Sequence, residues 1–515
     1  MNLTTFLTAT GAVLLAATSA GCGGGGASPA PSPAPAPVVV DDSGLRGSLI
    51  RNPPARVLSL SATQVATQAM LFGDYGRRLN ALAGAAKCGV DVRRFEYATV
   101  GAASETTTAS GALMVPTGSD PACSGPRPIL LYAHGSSQVH ATNMADLTPG
   151  APYGLVSMEL AALYAAQGWI VVAPNYAGYD TSTLTYHPHH IADQESKDML
   201  DALAAARKAL AGLPQPVADN AQLFLTGHSE GGYVTMATVR AMQQAGIPVT
   251  AAAPSSGAYA ESINWESTLV TPGAFDDLAG IDADAILKFA MQFTAWQKAD
   301  NDLYQSPAEL YPAGYAATME TIGPSDTPAA TLVAQGKLPG HLLANDEPGY
   351  AALTPTQQSF YGTPDQSLIR TPYLQAAITD AAVHPCPFMA TTEPLACTRA
   401  SPVREAWFRN DLRTFTPTVP LLMCGGHDDP EVWFQNSVLT SAYFDNHGVA
   451  ADRVRVLDVD SPAVAGDPYA QAKATFVQVR QAIAATGADT LAYYHGDIVS
   501  AACQIAARDF FKTFR

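Results

Sequence analysis

Leu225-Thr226-Gly227-His228-Ser229-Glu230-Gly231-Gly232 stands between a short apolar run, Gln222-Leu-Phe-Leu-Thr226, and a helix-like stretch over 231–245. Gly-x-Ser-x-Gly at a strand-to-helix junction is the pattern of a nucleophile elbow, a turn so sharp that flanking side chains would collide with neighbouring backbone. Gly227 and Gly231 answer that demand. Ser229 is then the candidate nucleophile, held in a strained conformation that pushes its hydroxyl out of the sheet.

Strand and helix signals alternate on both sides of this turn. Residues 90–100 and 106–115 read as a hairpin around Gly101-Ala-Ala-Ser-Glu105. Pro128-Ile-Leu-Leu-Tyr-Ala133 and Trp169-Ile-Val-Val-Ala173 are apolar runs suited to strands covered on both faces, with a helix-like stretch over 154–167 between them. Across 191–213, Met199, Leu203, Ala206 and Leu210 share one helix face. Val249-Thr-Ala-Ala-Ala253 follows, and the rhythm then stops near Ser255. It resumes at Val419-Pro-Leu-Leu-Met-Cys424, a helix from Val432, Val454-Arg-Val-Leu457 and a closing helix over 498–514. The pattern predicts an α/β class with a mostly parallel central sheet flanked by helices. Residues 46–261 and 416–515 form its two parts. The interval 262–415, rich in Tyr, Pro, Thr and helical fragments, reads as an inserted, mainly helical cap.

A serine hydroxyl needs a base, and the base needs an acid to orient it. The loop Cys424-Gly-Gly-His-Asp428-Asp429-Pro-Glu-Val432 offers two acids past a strand's carboxyl end, and either could instead cap the next helix. Beyond it the chain has only His447 and His495. His447, in Asp445-Asn-His-Gly448, has the look of a helix end. His495 follows a β-like stretch and precedes the last helix, which makes it the candidate base. For the oxyanion, the Glu230 amide is one donor and the Ser136 amide, in His134-Gly-Ser-Ser137, the second, with Gly135 in reserve. His134 and His228 precede Ser229 on the same rim and are read as packing or hydrogen-bonding residues.

Pro128-Ile-Leu-Leu-Tyr-Ala-His-Gly135, Ala173-Pro-Asn-Tyr-Ala-Gly-Tyr179, Gly227-His-Ser-Glu-Gly231 and Tyr494-His-Gly-Asp497 together resemble the α/β-hydrolase superfamily. The Cys-Gly-Gly…Asp-Pro-x-Val loop resembles that of bacterial secreted lipases and esterases of the secretory-lipase type. The likeness spans about 88–515, and its Gly426-x-x-Asp429-x-x-Val432 spacing favours Asp429 over Asp428 as the acid. It implies hydrolysis of carboxylic esters, small-molecule, lipid or polyester, through an acyl-enzyme, with no cofactor. The rival readings are a serine peptidase of the prolyl-aminopeptidase or prolyl-oligopeptidase type and a non-catalytic surface protein on the same fold. His187-Pro-His-His190 departs from the resemblance. With Pro breaking helical spacing and no carboxylate partner evident, it reads as an exposed loop near the pocket, and no metal site is expected.

Composition narrows the partners. Of 515 residues 47% are hydrophobic and only 14% charged, which excludes a disordered chain. Lys and Arg number 28 against 45 Asp and Glu, a formal charge of −17 that repels phosphate backbones and anionic lipid heads and argues against nucleic-acid binding. Oligomeric state is not legible.

Residues 1–22 read as an export signal: a short apolar segment ending in Ser19-Ala-Gly-Cys22. The ending resembles the bacterial lipoprotein cleavage box, which implies lipidation of Cys22. Residues 23–45, Gly-rich and then Pro-rich, suit a tether. The expected location is outside the bacterial cytoplasm, as an outer-membrane lipoprotein, periplasmic or secreted, with membrane contact only through the N-terminal lipid. Seven cysteines less Cys22 leave an even number for an oxidising compartment. Neighbourhood in sequence suggests Cys88–Cys123, Cys386–Cys397 and Cys424–Cys503 among the fifteen pairings open to six cysteines.

Overall fold

Runs of Val, Ile, Leu and Ala without polar alternation can be satisfied only in strands covered on both faces, and here they assemble into one nine-stranded sheet. The computed structural model describes residues 45–270, 282–359 and 361–515. The expected signal segment, Cys22 and the tether up to residue 44 lie outside the described residues. Strands β1 (Ala55–Leu60), β2 (Gly89–Val100), β3 (Thr106–Thr117), β4 (Arg127–Ala133), β5 (Ile170–Pro174), β6 (Asp219–His228) and β7 (Ala251–Ser255) precede a mainly helical region. That region holds the two-residue strands β8 (Leu343–Ala344) and β9 (Tyr361–Gly362), and β10 (Leu421–Gly425) and β11 (Val454–Asp458) follow it.

The sheet order is β1-β2-β3-β5-β4-β6-β7-β10-β11. From β5 to β11 every neighbouring pair is parallel. The β2–β3 hairpin and β1 add an antiparallel flank. Side chains alternate between two cores. Leu130, Tyr132 and Phe224 pack with the helices Gly154–Leu163 and Ser500–Lys512, whereas Ile129, Leu131 and Leu225 pack with Ala192–Ala211 and Glu230–Gln244. Order reverses at β4, whose carboxyl end leads into 134–137 and lies beside that of β6, so the two expected oxyanion segments share an edge of the sheet.

Between β7 and β10 the chain forms mainly helices, including Ala283–Asp300, Thr371–Val383 and Pro402–Arg409. An aromatic nucleus of Trp265, Phe293, Trp296 and Trp407 holds them, with Trp265 and Trp407 stacked at 5.7 Å. Arg404 is fully buried there and bridges Glu266 and Asp380, each at 2.7 Å.

Some local expectations differ from the structure. No strand precedes His495; the helix Ala470–Ala485 and a turn lead into a π-helical turn, Tyr494–Val499, that carries it. The helix expected from Val432 begins at Gln435, because the acid loop takes up the intervening residues. The edge strand β1 and the helices Ala62–Met70 and Gly73–Ala83 were not anticipated. β1 is mostly solvent-facing and therefore lacks the apolar run of a central strand.

All three disulfides pair as neighbourhood suggested: Cys88–Cys123, Cys386–Cys397 and Cys424–Cys503. The last ties β10 to the helix that follows His495 across 79 residues. Changing Cys424 and Cys503 together to Ala is expected to cost about 4.5 kcal/mol by loss of loop constraint in the unfolded chain. Urea unfolding of the double variant under non-reducing conditions measures it, and an unchanged midpoint contradicts the expectation.

Candidate active site

β6 ends at His228 and the next helix starts at Glu230, so the reversal is confined to Ser229, with φ 61° and ψ −126°. The left-handed value is costly for a residue with a side chain. Three backbone bonds hold it: Ser229 N–H donates to Ser255 O at 3.0 Å, and the Gly232 and Tyr233 amides donate to Ser229 O at 2.8 and 3.1 Å. A Cβ on Gly231 would lie 2.0 Å from Ala133 O, and one on Gly227 2.4 Å from the same oxygen. The two glycines let the elbow press against the end of β4. Gly231→Ala is therefore expected to destabilise by at least about 3 kcal/mol, or to block folding, because the obstacle is backbone. Soluble yield and the urea midpoint report it.

β10 delivers the acid loop to the same edge. Asp429 Oδ1 accepts from the Glu431 and Val432 amides at 3.0 and 3.1 Å, which fixes the carboxylate. His495 Nδ1 lies 2.8 Å from Oδ2 and 3.0 Å from Oδ1 of Asp429. Asp429 is 4% exposed, whereas the Asp428 side chain is 63% exposed and faces His427. It is Asp429, not Asp428, that meets His495.

The His495 carbonyl accepts from His228 Nε2 at 2.9 Å, and the two rings lie 4.7 Å apart. The imidazole is thereby packed on the residue just before Ser229. With Nδ1 donating to the carboxylate, Nε2 carries the lone pair. That atom is buried and has no hydrogen-bond partner among the described residues. Burial alone would lower the imidazole pKa, but the Asp429 carboxylate outweighs it and, with Glu431, raises the pKa above its ordinary value. Glu431 feels the converse: burial works to raise its pKa, and His495 and Lys288 hold it down at about 2. His447 stays apart, capping the helix Gln435–Asn446 through Nδ1 and Tyr443 O at 2.7 Å.

The loop after β4 lies over the elbow. A Cβ on Gly135 would come within 3.4 Å of Ser229 Cβ. Tyr153 Oη donates to Ser136 O at 2.9 Å, and Ser136 Oγ is 2.9 Å from His189 Nε2. His134 is buried beneath, stacked on Tyr176 at 4.2 Å, with its nitrogens against Gly135 O and Asn175 O. Above the elbow opens a cavity of about 630 Å³, lined by Ser229, Ser136, His189, Trp265, Lys288 and Trp433 among others.

The reading of 187–190 as an exposed loop is overturned. His187 is 0% and His189 3% exposed, and carboxylates do face them. His187 Nε2 is 2.6 Å from Glu230 Oε1, His189 Nε2 is 3.1 Å from Glu230 Oε2, and His190 Nδ1 is 3.2 Å from Glu261 Oε2. The partners come from the elbow helix and from the helix Glu261–Trp265 after β7, so no local spacing could announce them. A Glu directly after Ser229, on a buried turn, was the one available signal.

A model of the prolyl oligopeptidase family matches residues 156–255, the stretch that contains the elbow. No curated protein sequence matches the chain. Among solved structures, the ligand-bound rice cell wall degrading esterase LipA from Xanthomonas oryzae is 23% identical, with 91% of this chain and 100% of that one covered at a TM-score of 0.65. Another structure of that esterase is 24% identical over 80% and 91% of the two chains, at 0.60. A protein of Legionella pneumophila is 18% identical over 90% and 98%, also at 0.60. The chain has the α/β-hydrolase fold. On an α/β-hydrolase sheet the loops past the carboxyl ends of β4, β6 and β10 gather at one edge, where Gly135, Ser229 and Asp429 stand.

Proposed function

We propose that this protein is an exported serine ester hydrolase that works through an acyl-enzyme on Ser229. The observation that carries the reading is the Asp429–His495 pair, whose buried, unpartnered Nε2 belongs to a residue packed on the elbow itself. In this reading His495 takes the Ser229 proton as the hydroxyl oxygen bonds to the ester carbonyl carbon. Asp429 holds the imidazole tautomer and stabilises its charged form. The Glu230 and Ser136 amides bind the oxyanion. The tetrahedral intermediate collapses with breakage of the ester C–O bond, and His495 returns the proton to the departing alcohol. Water, deprotonated by the same base, then attacks the acyl carbon; the bond to Ser229 Oγ breaks, His495 returns the proton to that oxygen, and the carboxylic acid is released. Three disulfides support an oxidising location, and lipidation of Cys22 is the proposed means of attachment.

A second reading, a serine peptidase, draws on the family match over 156–255. The purified full chain is tested on p-nitrophenyl esters of graded acyl length beside aminoacyl- and prolyl-naphthylamides. Ester turnover exceeding amide turnover by orders of magnitude supports the esterase, and the reverse ratio replaces it with the peptidase.

A further inference from the structure

We propose that His187, Glu195 and Glu230 bind a single divalent transition-metal ion of the zinc type, which clamps the elbow helix to the helix Ala192–Ala211 behind Ser229. One donor atom from each residue, His187 Nε2 and a carboxylate oxygen of each glutamate, lies within 4.8 Å of the others. All three side chains are completely buried. One imidazole and two carboxylates form a donor set suited to zinc, at about 2.0–2.2 Å from each ligand.

Charge is the first argument. Two carboxylates facing one another in a dry interior cannot both stay ionised without a compensating positive charge. Among the described residues no Lys or Arg pairs with Glu195 or Glu230; their close polar neighbours are histidines, one backbone amide and each other. A divalent cation neutralises both at once.

The tautomer of His187 is the second. Its Nδ1 lies 2.9 Å from Ala177 O, and a carbonyl only accepts, so Nδ1 carries a proton and Nε2 is the ring atom turned toward the glutamates. The 2.6 Å between Nε2 and Glu230 Oε1 requires a proton or a cation shared between the two atoms. An imidazole fixed through its distal N–H to a backbone carbonyl is the usual outer support of a metal-ligating histidine. Glu195 Oε2 is also buried without a hydrogen-bond partner among the described residues.

The rival is a purely protonic network, with an additional proton shared among His187 and the two glutamates. Untagged full-length protein is incubated with zinc, desalted and measured for bound metal and thermal midpoint. The proposal expects about one retained equivalent and a midpoint several degrees above that of chelator-treated protein. Glu195→Gln should lose both the retained metal and the response, while His427→Ala, in the exposed His427, Asp428 and Asp460 group, should keep both. Should Glu195→Gln fail to fold, zinc-edge absorption spectroscopy of the wild type decides, with one nitrogen and carboxylate oxygens expected at the metal. Folded wild-type protein that retains no zinc and shows no shift overturns the site, as does retention abolished by His427→Ala but intact in Glu195→Gln.

Discussion

Ser229→Ala is expected to lower kcat on a p-nitrophenyl ester by on the order of 10⁶-fold and to abolish labelling by a fluorophosphonate probe. The change removes one oxygen from a half-buried side chain and leaves the backbone bonds of the elbow in place. The circular dichroism spectrum and thermal midpoint should therefore match those of the parent. The size of the loss follows from the parts acting as a unit: without the hydroxyl, an oriented imidazole and oxyanion donors have no covalent step to assist, and only residual catalysis by binding remains. A variant that stays folded and keeps a tenth of parental activity removes the acyl-enzyme from the proposal, and with it every role assigned around Ser229.

Asp429→Asn carries the second large effect, a fall on the order of 10⁴-fold in kcat, because an amide in place of the carboxylate favours the wrong imidazole tautomer and withdraws the charge that stabilises the protonated ring. Asp428→Asn, at a side chain 63% exposed, should change kcat less than about two-fold. The pair of variants separates the two acids without reference to the substrate. The pH profile adds an independent readout. His495 must be neutral to act as base, and its pKa is raised by Asp429 despite burial. In the proposed mechanism the parent is thus expected to lose activity as pH falls through a value above that of an ordinary imidazole, visible as the acid limb of kcat/KM. In Asp429→Asn the raising charge is gone and burial remains, so the limb of the residual activity should move to lower pH. Equal limbs in both proteins would detach Asp429 from the base.

Much of the fold is legible in the chain because its central strands carry their burial in their composition. Ile129, Leu130, Leu131 and Tyr132 are all buried, two on each face, and only a strand covered on both sides accommodates such a run. β1 escapes notice for the opposite reason: Ala55–Leu60 lies on the edge with most of its side chains in water, and its residues resemble those of a loop. The elbow is legible because the steric demand is local. Ser229 needs glycines two residues before and two after, and a reader of the sequence can see them. His495 stands out as a candidate base through its position after the candidate acid and before the last helix, but its local conformation is not legible, since a π-helical turn has no periodic signature.

Taken alone, the sequence determined the alternation of strand and helix, the elbow with its two glycines, a short set of candidate acids and bases, and an even number of cysteines beyond Cys22. Each of these is a property of neighbouring residues or of composition. The acid loop's resemblance favoured Asp429, and the tertiary structure places that residue, not Asp428, against His495; the tertiary structure alone decided that the histidines at 187 and 189 are buried against Glu230 rather than exposed. Those outcomes depend on which side chains the packing of distant segments brings face to face. In a dry interior a charged or polar group must find its partner wherever the fold supplies one, and spacing along the chain carries no record of that choice.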